Sequence, residues 1–232
     1  SKNKTFLSDI LEMLDNVLQK FIDEAPDTIS RAKFSAIRER SVGVGALGFH
    51  AYLQRRGMPW ESALAKSVNL KMFRHIRKGL DKANERLGKE RGEAPDARGT
   101  GLRCSHVMAV APNASSSIIM GNTSPSIEPW RANAYRQDTL SGSFLNKNKY
   151  LDKLIKEKCE EDKQLDYEKT WSSIIGNDGS VQHLKCFTDY EKDIYKTAME
   201  IDQRWLIEHA SDRQAFIDQS QSLNVFFRPD AN

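Results

Sequence analysis

No apolar run in this chain approaches the roughly 20 residues that a membrane-crossing helix needs. The first ten residues, SKNKTFLSDI, also lack the apolar core and cleavage site of a secretory signal. No membrane partner is expected, and a cytoplasmic location is the default expectation. Cysteine is scarce: Cys104, Cys159 and Cys186 are odd in number and widely spaced, which suits neither a disulfide framework nor a zinc knuckle. All three are expected to be reduced and structural, and no metal site is expected. A surplus of one charge is missing too. Against 35 basic residues stand 32 acidic ones, and a net charge of +3 gives no strong field for a polyanion. What is present is the composition of a globular chain, 39% apolar and 29% charged over 232 residues, long enough to bury a core.

Phe6, Ile10, Met13, Val17 and Phe21 recur every three or four residues and predict an amphipathic packing helix that ends before Pro26. Gly43, Gly45 and Gly48 match GxGxxG. The residues before them, Arg38 to Ser41, are not a strand, and a long helix follows, so close backbone packing explains them better than a dinucleotide fold does. Pro59, Trp60 and Glu61 open the longest helix, with Leu64, Val68, Met72, Ile76, Leu80, Ala83 and Leu87 as its expected buried stripe. Its other face, from Lys71 to Arg91, is basic but interrupted by Asp81, Glu85 and Glu90, the pattern of a solvated helix surface.

Further on, 122–136 reads as irregular chain and about 147–161 as a charged helix that leaves Cys159 exposed. Thr188 with Glu191 is a capping-box pair, and Ser211 with Gln214 repeats the pattern. Leu223 to Phe227 is a strong strand signal, followed by RPDAN.

The organising stretch is HVMAVAPNASSSIIMGNTSPSIEP from His106. Val107 to Val110 predicts a buried strand, Pro112 stops it, and Asn113 with Ser115, Ser116 and Ser117 opens a short helical turn closed by Gly121. Small hydroxyl residues at the first, unpaired N–H groups of a helix leave room for an anion, although a serine-rich cap with nothing bound has the same spelling. Two strands are too few for an independent sheet, so they must pair either with chain outside this sequence, which is the expectation, or with strands not recognised in it.

Four blocks occur in the order found in one known family: RSVGVGALGFHAYLQ from Arg40, GLRCSHVMAVAPNASSSIIMGNTSPSIEP from Gly101, TLSGSF from Thr139 and AFIDQSQSLNVF from Ala215. Together they resemble the large, catalytic subunit of class I ribonucleotide reductase from about Phe6 onward. The resemblance implies an α/β fold, here a helix-rich fragment of a ten-stranded barrel. It implies an oxidoreductase that converts ribonucleoside diphosphates to 2′-deoxyribonucleoside diphosphates by thiyl-radical chemistry. The substrate's diphosphate would lie on Pro112, Asn113, Ala114, Ser115 and Ser116; Asn113 stands where relatives often carry Thr or Ser.

Other family features are missing. The radical cysteine belongs to an Asn-x-Cys-x-Glu arrangement that cannot be identified here: Glu157 replaces the Asn two residues before Cys159, and Cys104 sits where relatives commonly show Asn. No catalytic residue is therefore assigned. Residues 1–232 are expected to form a partial barrel domain without the amino-terminal effector region, the radical-cysteine loop or the carboxy-terminal tail with its paired tyrosines and redox cysteines. The resemblance implies as partners the missing part of the large subunit, a large-subunit dimer, a radical-generating di-iron tyrosyl-radical small subunit, and thioredoxin or glutaredoxin. ATP and dNTP effectors would bind the missing region, and this chain would hold no cofactor and be inactive alone. Two alternatives stay open at this point: a non-catalytic nucleotide-binding relative, and a helical nucleic-acid-binding module using the Lys71 to Arg91 face.

Overall fold

A computed structural model describes residues 5–139 and 142–227. Leu140 and Ser141 of the TLSGSF block, the first four residues and the final RPDAN segment lie outside the described residues. The chain forms two compact units, 1–45 with 68–111 and 210–222, and 46–67 with 112–209 and 223–232. Among the described residues no helix is long and apolar enough to cross a membrane.

The first unit carries α1 (Phe6–Glu24), α2 (Ser30–Glu39) and most of α4 (Ala63–Arg91). The expected stripe of α1 faces outward: Phe6, Met13 and Val17 are 48, 56 and 60% exposed, whereas Leu11, Asp15 and Ile22 are buried. The helix has two adjoining apolar stripes, and an ion cluster selects between them. Asp15, 1% exposed, accepts hydrogen bonds from Arg40 at 2.6 and 2.9 Å, Arg91 at 2.8 Å and Arg103 at 3.1 Å. Burial alone would raise its carboxyl, but Arg91 and Arg40 outweigh it and hold the group below the usual range. In α4 the amino-terminal part of the stripe is likewise displaced: Leu64 is exposed, and Ala65, Asn69 and Phe73 are buried ahead of Leu80, Ala83 and Leu87.

Val107 to Val110 does run extended, yet its partners are inside the chain, which corrects the expectation of outside pairing. Val44 bridges Met108 and Val110 bridges Gln221, both parallel, so 107–110 is the middle of three short segments. Val44 N–H donates to Val107 O at 2.8 Å, and Ser222 N–H to Val110 O at 2.8 Å. Side chains complete this short ladder. The Asp218 carboxylate accepts from the N–H groups of Val107 and Met108 and from Arg77, while the Gln219 amide donates to Val42 O and Met108 O. A Cβ on Gly45 would lie 2.6 Å from Ala109 O, so glycine here permits the backbones to meet, as the packing reading requires.

The second unit contains α3 (Phe49–Arg55), α5 (Ala114–Ile119), β1 (Ala134–Thr139), β2 (Gly142–Lys147), α6 (Lys149–Glu161), α7 (Tyr167–Gly176), α8 (Asp189–Ile194) and most of α9 (Gln203–Gln214). The antiparallel β1–β2 hairpin replaces part of the stretch expected to be irregular. Its edges, Ala134 and Lys147, carry little alternation to announce a strand. Leu151, Ile155, Trp171, Ile174, Phe187 and Ile194 lie in one core cluster, against which Cys159 packs half-buried rather than exposed.

The Thr188–Glu191 capping box forms as expected, but its helix stops at Ile194. Ser211 and Gln214 cap nothing, because both lie inside α9. Leu223 to Phe227 is no strand. The backbone N–H groups of Asn224 and Phe226, which a ladder would use, donate instead to the side chains of Glu128 and Gln203, both at 2.9 Å.

Candidate functional site

The Pro112 to Ser116 turn belongs to the second unit. Asn113 adopts the left-handed conformation, φ 51° and ψ 31°, immediately before α5, and its side chain makes no capping bond. The expected amide cap is therefore absent. Its carbonyl instead accepts from Ser117 N–H at 3.0 Å, which is the first closed bond of the turn. The N–H groups of Ala114, Ser115 and Ser116 take no acceptor among the described residues. Ser115 and Ser116 are exposed, whereas Ser117 is buried and its hydroxyl donates to Ala114 O at 2.7 Å. The serine run thus divides by burial into two outward hydroxyls and one structural hydroxyl.

Behind the turn the chain is fixed from several sides. Asn122 N–H donates to Ile118 O and Thr123 N–H to Ser117 O, at 2.9 and 3.0 Å. Asn122 Oδ1 accepts from the Tyr135 hydroxyl at 2.7 Å; burial, opposed by this bond, pushes the phenol above its ordinary pKa. Ser124 then caps α3 from a distance in sequence: its carbonyl accepts from Gly48 N–H at 2.9 Å and its Oγ from Ala51 N–H at 3.0 Å. Gly48 has φ 80°, and a Cβ there would lie 2.6 Å from Thr123 Oγ1. Close packing and a left-handed backbone together require glycine.

Several residues here were not singled out from sequence. Buried Glu128 holds Asn224 through both its backbone N–H and its side-chain amide, at 2.9 and 2.8 Å. His50, wholly buried, accepts from Trp130 N–H at 3.0 Å and is pushed down to about 3 by burial. The only available signal was a polar pair, His50 and Gln54, at helical spacing on an otherwise buried helix.

The thiols are structural in setting. Cys104, in the first unit, is buried and pushed up to about 11 by burial, with its backbone held at both ends by the Asn84 amide. Burial also raises Cys159 and Cys186. None has the lowered pKa of an activated thiol. On the basic face of α4, Arg77 pairs with Asp81 and Asp218, Arg86 with Glu12 and Glu90, and Arg91 with Glu12 and Asp15, whereas Lys71, Arg74, Lys78, Lys82 and Lys89 make no ion pair among the described residues.

Comparison with known proteins gives one answer. The family described as "Ribonucleotide reductase, barrel domain" matches residues 2–100 and 94–232. The chain is 53% identical over 230 residues to the ribonucleoside-diphosphate reductase large subunit of Invertebrate iridescent virus 6, covering 98% of this chain and 24% of that protein. It is 54% identical over 228 residues to the large subunit of Invertebrate iridescent virus 3, covering 98% and 36%. The Actinobacillus ureae class Id ribonucleotide reductase alpha subunit superposes with a TM-score of 0.86 at 39% identity, over 94% of this chain and 40% of that one. The chain therefore spans about a quarter to two-fifths of these relatives. With the ordered sequence blocks and the parallel segments leading to a polar turn, this match means that the chain belongs to the ribonucleotide reductase barrel-domain family.

Proposed function

We propose that this chain forms the part of a ribonucleoside-diphosphate reductase large subunit that anchors the substrate's diphosphate on Pro112, Asn113, Ala114, Ser115 and Ser116. The observation that carries the proposal is the run of three N–H groups, Ala114 to Ser116, without acceptors on an exposed turn. Left-handed Asn113 presents those donors in succession, and the hydroxyls of Ser115 and Ser116 add two more. Donors of this kind suit phosphate oxygens. The segments at 42–44, 107–110 and 220–222 are this chain's share of a ten-stranded barrel.

The contribution to the reaction is positional. Binding energy from the remote phosphates holds the ribose in a reactive geometry, which lowers the entropic cost of the chemical step. The radical thiol, the acid/base carboxylate and the reducing thiols come from other parts of the large subunit, with a separate small subunit generating the radical. This chain alone reduces no ribonucleotide.

In the assembled enzyme, the double substitution Ser115→Ala, Ser116→Ala should raise the substrate dissociation constant by roughly tenfold or more, as lost charge-assisted hydrogen bonds do. Asn113→Gly, which keeps the left-handed turn and its backbone donors, should bind substrate as the parent does. Unchanged affinity in the double variant would remove the turn from the site.

A further inference from the structure

At six residues α5 is too short to persist as a helix by itself, so its surroundings must fix it. Apolar packing does little of this. Ser117 is buried, but Ile118 and Ile119 are 39 and 82% exposed. A cavity of about 230 Å³, lined by Ala114, Ser117 and Ile118 together with Trp130 and Tyr135, lies beside the helix and leaves it room to shift. At the amino end the Asn113 side chain makes no capping bond.

The carboxy end is tied instead. Asn122, left-handed at φ 51°, lies three residues beyond the helix. Its Oδ1 accepts from the Tyr135 hydroxyl at 2.7 Å, and its Nδ2 donates to Asn146 Oδ1 at 3.2 Å. Tyr135 and Asn146 are partners in the β1–β2 register, so one amide bridges both strands of the hairpin. Lys149, at the start of α6, donates to Gly121 O at 3.1 Å. The tie reaches α5 through backbone bonds, from Asn122 N–H to Ile118 O and from Thr123 N–H to Ser117 O. A planar amide suits this place, because it offers an acceptor and donors at once and can serve two strands together.

We propose that Asn122 is the positioning residue of the diphosphate turn: its amide fixes α5 to the β1–β2 hairpin and so aims the N–H groups of Ala114, Ser115 and Ser116 at the substrate's phosphates. The role rests on the diphosphate reading of residues 112–116. Asn122 contacts no substrate in this role. It keeps the donors from shifting as a body, and hydrogen bonds weaken steeply once misaligned.

The test is titration of the assembled reductase and its variants with cytidine diphosphate and with inorganic pyrophosphate. Asn122→Gly keeps the left-handed backbone and removes both side-chain bonds. It should raise both dissociation constants about fivefold and by the same factor, because only the diphosphate meets the turn. Tyr135→Phe, which removes one of the two bonds, should raise them about twofold. Combining the two changes should add nothing to Asn122→Gly, since both remove one shared contact. A residue that served stability alone would lower the thermal unfolding midpoint and leave both constants at their parent values; that result overturns the proposal. So does weaker binding of cytidine diphosphate with pyrophosphate unchanged. Ser115→Ala, Ser116→Ala, titrated in parallel, separates the two readings. If that variant loses affinity while Asn122→Gly does not, the turn stands and the role of Asn122 falls; if it binds both ligands as the parent does, the turn fails and the role of Asn122 with it.

Discussion

The two units differ in the largest buried polar network each contains. In the first, charges do the connecting: Asp15 gathers Arg40, Arg91 and Arg103, and Asp218 ties Arg77 to the backbone of 107–108. Arg213, also fully buried, is met by the neutral oxygens of Asn69 and Gln221, and burial pushes it down to about 9. The second unit also buries one carboxylate, Glu128 on Asn224, but its most connected network is a neutral chain of amides. The Asn148 amide donates to Gln54 Oε1 and Asn133 Oδ1, both at 2.9 Å, and Asn133 in turn donates to Tyr195 O at 2.7 Å. His50 stands beside Gln54 in this network as an uncharged imidazole. A buried ion cluster fails badly when one member is removed, because the remaining charges lose their counter-ion. A neutral network loses less per member, but it is vulnerable to any proton that creates a charge inside it.

The sharpest way to break this contrast is Asp15→Asn, which leaves three arginines around a neutral amide. A loss of about 3 to 5 kcal/mol is expected at neutral pH. It should appear in denaturant unfolding and, by hydrogen exchange, in the amides of α1 and α2. A loss below about 1 kcal/mol would mean that the cluster is solvated and that the contrast between the units is false.

The matching change in the second unit is Asn148→Ala, which removes the α6 cap on Tyr150 and Leu151 and breaks the links to Gln54 and Asn133. About 2 kcal/mol is expected from a lost cap plus buried groups left unpaired, with the exchange increase confined to the second unit.

The smallest effect per step is the response to acid. The His50 pKa lies at about 3 in the fold and near its ordinary 6.5 when unfolded, so the unfolded chain binds the extra proton. Its contribution is complete above pH 6.5 and is lost as pH falls toward 3, at about 1.4 kcal/mol per unit. Asp15 acts in the same direction but lower: its folded carboxyl is depressed, so its contribution holds above the ordinary carboxylate value and is lost as pH drops through the folded one. Stability measured against pH in His50→Gln should lose the slope between 6.5 and the carboxylate range while keeping the part below it. An unchanged slope would show that His50 is already charged in the folded chain.

Much of this was legible locally. Thr188 and Glu191 spell a capping box within four residues, and the box forms because both partners lie on one helical turn. The polar turn after Pro112 was legible as a helix start, but the role of each serine was not: burial makes Ser117 structural and leaves Ser115 and Ser116 outside, and burial is not written in a serine triplet. Glu128 was equally silent, since its partner Asn224 is 96 residues away.

Sequence by itself determined the helices with strong periodicity, the capping box, the glycine contacts near residue 45 and, through the order of its blocks, the family. Tertiary structure alone decided which of the two stripes of α1 faces inward, because periodicity is equal for both and only the arginines around Asp15 break the tie. It also decided the parallel partners of 107–110 and denied a strand to 223–227. Those outcomes depend on which distant donor or acceptor reaches a backbone group first, and that competition is set by packing between segments far apart in the chain.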